Sequence, residues 1–202
     1  MMQKQSYSHA RILALVETAV LTAIIFIMAF TSIGYIRVGA LSISLITIPV
    51  AIGAIAVSPA AGAFLGLVFG CTSFAQCFTG DPFGAALLAI NPFLTFLLCV
   101  PTRTLAAFLC GLLYKGIHRK WKVPSYYIAG FSMAFLNTLF FMSMLVLCFW
   151  NADAVQTWSK SLGAFNPLVF ILASVTVNAV IEWISTTVIG GSVGLALKKV
   201  RN

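Results

Sequence analysis

The chain has 202 residues, 61% of them hydrophobic and only 8% charged, whereas soluble domains run near half apolar and a quarter charged. A fold in water needs polar side chains to cover its core, so an ordinary water-soluble globule is excluded and the solvent is lipid. Twelve Lys and Arg against four Asp and Glu give a net charge of +8. The basic residues lie at the edges of apolar runs, which is a membrane pattern and not an aromatic-interleaved nucleic-acid patch.

A helix needs roughly 20 apolar residues to cross a hydrocarbon core about 30 Å thick, so charge-free intervals count the spans. The first helix begins near Arg11 and runs through the charge-free interval Thr18 to Ile36, read as a retained span and not a removable signal peptide. No charge occurs from Val38 to Gly80, and Ser58-Pro59 divides that interval into a second helix, Ser44 to Val57, and a third, Ala60 to Cys77. The second is short for a span, which implies tilt or extension by the loop before it. Turn chemistry at Thr79-Gly80-Asp81-Pro82 and at Asn91-Pro92 predicts a re-entrant or capping loop from Gln76 to Pro92. The fourth helix follows from Phe93 to Tyr114, the fifth from Ser125 to Trp150 and the sixth from Pro167 to Leu197.

The predicted fold class is all-α: a six-transmembrane-helix bundle forming one integral membrane domain over 1–202. Nine basic residues, Lys4, Arg11, Lys115, Arg119, Lys120, Lys122, Lys198, Lys199 and Arg201, fall on one side of these spans. Cytoplasmic flanks are enriched in Lys and Arg, so both termini are expected in the cytoplasm.

Most catalytic machinery is missing from this reading. Without a Gly-Lys dipeptide there is no phosphate loop for ATP. The histidines, His9 and His118, lie in flanks, so no zinc helix forms, no metal site is expected, and the five cysteines read as small buried hydrophobes. A G-x-S-x-G nucleophile elbow is also read as absent. The chain is expected not to be an enzyme and to need no cofactor.

Ionisable groups at membrane depth are functional candidates because they are costly there, and Glu17, Arg103 and Glu182 are the three in this chain. Arg103 lies about 14 Å below the outer end of its helix, and Asn137 and Asn178 about 18 Å below theirs, with Glu182 one turn deeper than Asn178. Four polar groups on three helices thus converge near one depth, as a pocket open to the outside requires. Either Arg103 and Glu182 neutralise each other while the Asn side chains join helices, or the Arg103 fork meets a ligand carboxylate. Pro101, two residues before Arg103, removes a donor from the ladder there. An outward loop rich in hydroxyls, with Ser42, Ser44 and Thr47, is expected to close over a solute together with Gln76 and Thr79. Gly62, Gly66 and Gly70, at four-residue spacing, allow close helix approach, most simply within the bundle. Ala19 and Ala23 form a similar small-residue stripe on the first helix, a docking groove for a helix inside or outside the chain.

In their order along the chain, the first helix ending in AFTSIGYI, the segment ISLITIPVAIGAIAVSPAAGAFLGLVFGCTSF and the segment NPFLTFLLCVPTRTLAAFLCGLLYKGI resemble the substrate-binding S component of an energy-coupling factor (ECF) vitamin transporter. The resemblance covers nearly the whole chain. It implies a bacterial plasma-membrane, multi-pass protein that captures a water-soluble vitamin from outside. It also implies a transmembrane coupling subunit and two cytoplasmic ATPase subunits as partners, which accounts for the missing phosphate loop. The small-residue first helix of such proteins contacts the coupling subunit, a role carried to Ala19 and Ala23. The branch it resembles most is the pantothenate type, whose fourth helix is expected to carry a Pro-Arg pair; here Thr102 stands between Pro101 and Arg103. Substrate binding is accordingly expected at Arg103, Asn137, Asn178, Glu182, Thr47 and Gln76. Two rivals predict different behaviour: a stand-alone secondary transporter would work without ATPase subunits, and a small intramembrane enzyme or assembly factor would act without vitamin uptake.

Overall fold

The computed structural model describes residues 2–31, 34–38, 41–174 and 177–201, with side chains from Arg11 onward except at 35–38, 41–43, 177–178 and 201. Helix α1 spans Met2–Ala29, strands β1 and β2 span Tyr35–Val38 and Leu41–Ser44, and α2 to α6 span Thr47–Ala56, Pro59–Thr79, Pro82–Ile90, Pro92–His118 and Pro124–Phe149. Then come α7 (Asp153–Ser161), α8 (Pro167–Ser174), α9 (Val177–Ser185), a π-helical turn (Thr186–Gly190) and α10 (Gly191–Arg201).

Proline supplies much of this punctuation. Helices α3, α4, α5, α6 and α8 each open on one, where the fixed φ suits the first turn and the missing N–H is no loss. Side-chain caps reinforce three of these starts: Ser58 Oγ accepts from Ala61 N at 3.0 Å, Asn91 Oδ1 from Leu94 N at 3.1 Å, and Asn166 Oδ1 from Val169 N at 2.8 Å.

Two expectations are corrected within the all-α class. Tyr35–Val38 pairs antiparallel with Leu41–Ser44, Tyr35 opposite Ser44. The first helix therefore stops at Ala29 and not at Ile36, and the hairpin absorbs the hydroxyl-rich loop. Within the segment predicted as a re-entrant or capping loop, Pro82–Ile90 is a helix of nine residues. The predicted sixth helix, Pro167 to Leu197, is helical at all its described residues, as α8, α9, the π-turn and α10; a π-turn inserts an extra residue and shifts the side-chain register.

Among the described residues, five helical stretches are long and apolar enough to cross a membrane: Arg11–Ala29, Pro59–Thr79, Pro92–His118, Pro124–Phe149 and Ala179–Val200. Helix α2 has ten residues, about 15 Å or half the hydrocarbon thickness. All but Ile48 of its residues are buried. Large apolar side chains elsewhere face outward, among them Leu15, Phe93, Leu105 and Leu147, the reverse of what water would select.

The glycine stripe of α3 packs inside the bundle. A Cβ on Gly66 would lie 2.7 Å from Arg103 O and 2.8 Å from Ala107 Cβ, and one on Gly70 would lie 2.7 Å from Val100 Cα. Helices α3 and α5 thus touch backbone to backbone along the stretch that carries Arg103. Gly66→Ala is expected to destabilise the fold by about 1–3 kcal/mol, the range for overpacking a tight contact. Thermal unfolding in detergent checks this, and an unchanged midpoint would contradict it.

Candidate functional site

The site begins with a disturbance in α5. Pro101 sits inside the helix and removes one rung of its hydrogen-bond ladder. Side chains just after it turn back onto the preceding carbonyls: Thr102 Oγ1 donates to Leu98 O at 2.5 Å, Arg103 Nη1 to Cys99 O at 3.0 Å, and Thr104 Oγ1 to Val100 O at 2.9 Å. Arg103 is buried, and its guanidinium carbon lies 4.8 Å from the Phe69 ring centroid and 5.2 Å from that of Phe141. Two aromatic faces therefore stabilise the cation without consuming its donors. Of its five N–H groups, only the one to Cys99 O is engaged among the described residues, and Nε has no protein partner.

Arg103 lines a cavity of about 120 Å³, roughly ten times the ~10–15 Å³ that one water requires. The cavity runs from mid-helix to the α3–α4 turn at Asp81 and Gly84. Asn137 and Glu182 share its wall. Asn137 Nδ2 donates to Glu182 Oε1 at 3.3 Å, and the backbone N of Ser44, at the end of the hairpin, donates to Glu182 Oε2 at 3.4 Å. Among the described residues, no ion pair joins Arg103 to Glu182: the glutamate is held by an amide and a backbone N–H, the arginine by a carbonyl and two rings. The Asn137–Glu182 bond joins α6 to α9.

Among the described residues, four buried polar atoms without a protein partner lie on this wall: Arg103 Nε, Asn137 Oδ1, Ser44 Oγ and Ser174 Oγ. An unsatisfied buried polar group costs about 1–3 kcal/mol, and native folds keep few of them. They are concentrated around one cavity, where a polar solute would satisfy them.

The other candidate residues fall differently. Gln76 lines the cavity, and its Nε2 donates to Ala29 O, tying α3 to the end of α1. Thr47 is buried but is not among the lining residues; its hydroxyl meets Thr186 Oγ1 at 2.9 Å and Ser44 O at 3.0 Å, locking α2 against the π-turn. Asn178 belongs to α9, but its side chain lies outside the described residues, as does that of Ser42. Glu17 is half-buried on α1 and is not part of this lining. Ala19 and Ala23 are exposed on α1. Ser174 was missed, since one serine within an apolar run carries no signal until its neighbours in space are known.

A second correction concerns catalysis. Gly190-Gly191-Ser192-Val193-Gly194 does match G-x-S-x-G letter for letter, contrary to the expectation above. The match lies across the π-turn and α10 with no strand before it, and Ser192 is exposed beside Tyr127 OH at 3.5 Å. A nucleophile elbow requires a strand-to-helix turn, so the letters do not make one. Among the described residues, no group of three or more His, Cys, Asp or Glu side chains is placed to hold a metal ion.

Residues 13–190 match the family described as ECF transporter, substrate-specific component. The chain belongs to that family. It is a transporter component and not a member of an enzyme family, and the S components of ECF transporters work with a module of membrane and ATPase subunits. Multi-pass membrane insertion follows from the family together with the apolar helices. No curated relative matches the chain.

Proposed function

We propose that this S component captures pantothenate from outside a bacterial plasma membrane and delivers it inward. In this reading it works with a transmembrane coupling subunit and two cytoplasmic ATPase subunits. The carrying observation is that, among the described residues, four polar atoms without a protein partner, one of them on Arg103, surround one cavity. Pantothenate is complementary to that set: a carboxylate for the guanidinium fork, and an amide N–H and hydroxyls for Asn137 Oδ1 and the Ser44 and Ser174 hydroxyls. Glu182, Gln76 and Asn178 orient the solute, and Thr47 supports the wall from behind.

The proposal includes a single domain crossing the membrane six times, with α2 and the hairpin together making the second crossing. Two contacts support it. Gln76, near the end of α3, bonds Ala29 at the end of α1. Lys198 of α10 bonds Ala56 O, beside the start of α3. Both chain termini then lie at the end where the basic residues gather, which the charge rule assigns to the cytoplasm.

Mass spectrometry of small molecules released from the purified protein tests the substrate. Pantothenate is the expected species. Recovery of a cationic or uncharged vitamin in its place would overturn the assignment.

A further inference from the structure

At the opposite end of the bundle from the substrate cavity lies a second cavity, of about 240 Å³. Its floor is the α2–α3 turn at Val57 and Ser58, and its wall carries Lys115, His118 and Arg119 from the end of α5 and Lys198 from α10. The chain has four acidic residues in all, and none of them is in this lining. Two lysines, an arginine and a histidine thus converge from two helices with no carboxylate among them. The arrangement is ordered: His118 Nδ1 lies 2.8 Å from Ser125 Oγ and 3.2 Å from Lys122 O, its ring stacks 5.0 Å from that of Tyr114, and Lys198 Nζ donates to Ala56 O at 3.2 Å. The N-terminus of α3, capped by Ser58, adds the positive end of a helix dipole to the floor.

We propose that this cavity binds the phosphodiester of an anionic phospholipid headgroup. Phosphate oxygens accept charge-assisted hydrogen bonds that Arg119 and Lys115 can donate, and basic pockets between transmembrane helices are suited to such headgroups. Free phosphate shares this chemistry, but the surroundings favour a lipid. Leu112, one turn before Lys115 on the same face of α5, is an exposed apolar side chain. It offers an acyl chain an apolar surface beside the headgroup. The site lies outside the substrate cavity and does not depend on which vitamin binds there.

The test uses the full chain in vesicles of phosphatidylcholine containing one quarter phosphatidylglycerol, extracted gently and weighed intact by native mass spectrometry. The wild-type protein is expected to retain phosphatidylglycerol. Lys115→Gln with Arg119→Gln, both at exposed positions, is expected to weaken retention about 30-fold, the loss for two cations at a headgroup, with an unchanged melting temperature and unchanged vitamin affinity. Lys120→Gln with Lys122→Gln removes the same charge from the neighbouring turn, outside the cavity, and is expected to keep the lipid. Equal loss in both double variants would reduce the effect to general surface charge and overturn the proposal. So would inorganic phosphate at millimolar concentration binding the wild type while phosphatidylglycerol does not, or retention of neither.

Discussion

Arg103→Ala is expected to weaken pantothenate binding by about 30- to 5,000-fold, the range for removing one partner of a buried, hydrogen-bonded charge pair. The guanidinium has the donors to do this, since it is held by Cys99 O and by the Phe69 and Phe141 rings and is not spent on Glu182. Glu182, on the same wall, loses a neighbouring cation but keeps its bonds from Asn137 Nδ2 and Ser44 N, so the unliganded fold is expected to persist with a lowered melting temperature. Arg103→Lys is expected to recover only part of the affinity, because an ammonium presents a point charge where the fork gave two parallel donors. Isothermal titration on the detergent-purified protein checks both variants against the wild type. An affinity unchanged by Arg103→Ala would remove Arg103 from the substrate site.

Ala19→Leu with Ala23→Leu is expected to abolish uptake while leaving vitamin binding intact. Helix α1 is the outermost of the long spans: Leu21, Ile25 and Ala29 face the core, while Ala19, Ala23, Ile12, Leu15, Val16, Val20 and Ile27 are exposed. Leucine at the two alanines is compatible with lipid but not with a partner helix seated on the stripe. Overpacking at two contact points costs about 2–6 kcal/mol, which corresponds to at least roughly 30-fold weaker assembly with the coupling subunit. Co-purification of the full transporter and uptake by proteoliposomes report the outcome. Normal uptake by the double variant would place the coupling surface elsewhere.

Much of the helical frame was legible because prolines, asparagine caps and charge-free intervals are local signals. The helix expected over Phe93 to Tyr114 is Pro92–His118, and the one expected over Ser125 to Trp150 is Pro124–Phe149. The hairpin was not legible by that count, since an interval without charge has no period. Tyr35–Val38 and Leu41–Ser44 satisfy each other's backbone across the pair, a property of two segments and of neither alone. Counting by charge also hid α4, whose nine residues are too few to span but enough to bury Gly84 and Leu87 against the cavity end. At the site, Arg103, Asn137 and Glu182 could be picked out because each is polar within an apolar run. Thr47 and Ser174 could not be sorted in the same way: small hydroxyls are common in membrane helices, and whether one faces a cavity or a neighbouring threonine depends on helix rotation. The π-turn at Thr186–Gly190 sets that rotation for the last span, and nothing local in the sequence announces it.

The central claim is that a guanidinium held between two aromatic rings within the bundle recognises the carboxylate of an incoming vitamin. The most direct measurement is a thermodynamic cycle that titrates pantothenate and its alcohol analogue, which lacks the carboxylate, into the wild-type protein and into the Arg103→Ala variant. The wild type is predicted to prefer the acid strongly, and the variant to bind both ligands weakly and alike. A wild-type protein that binds the two equally, or a variant that keeps the preference for the acid, would contradict the account.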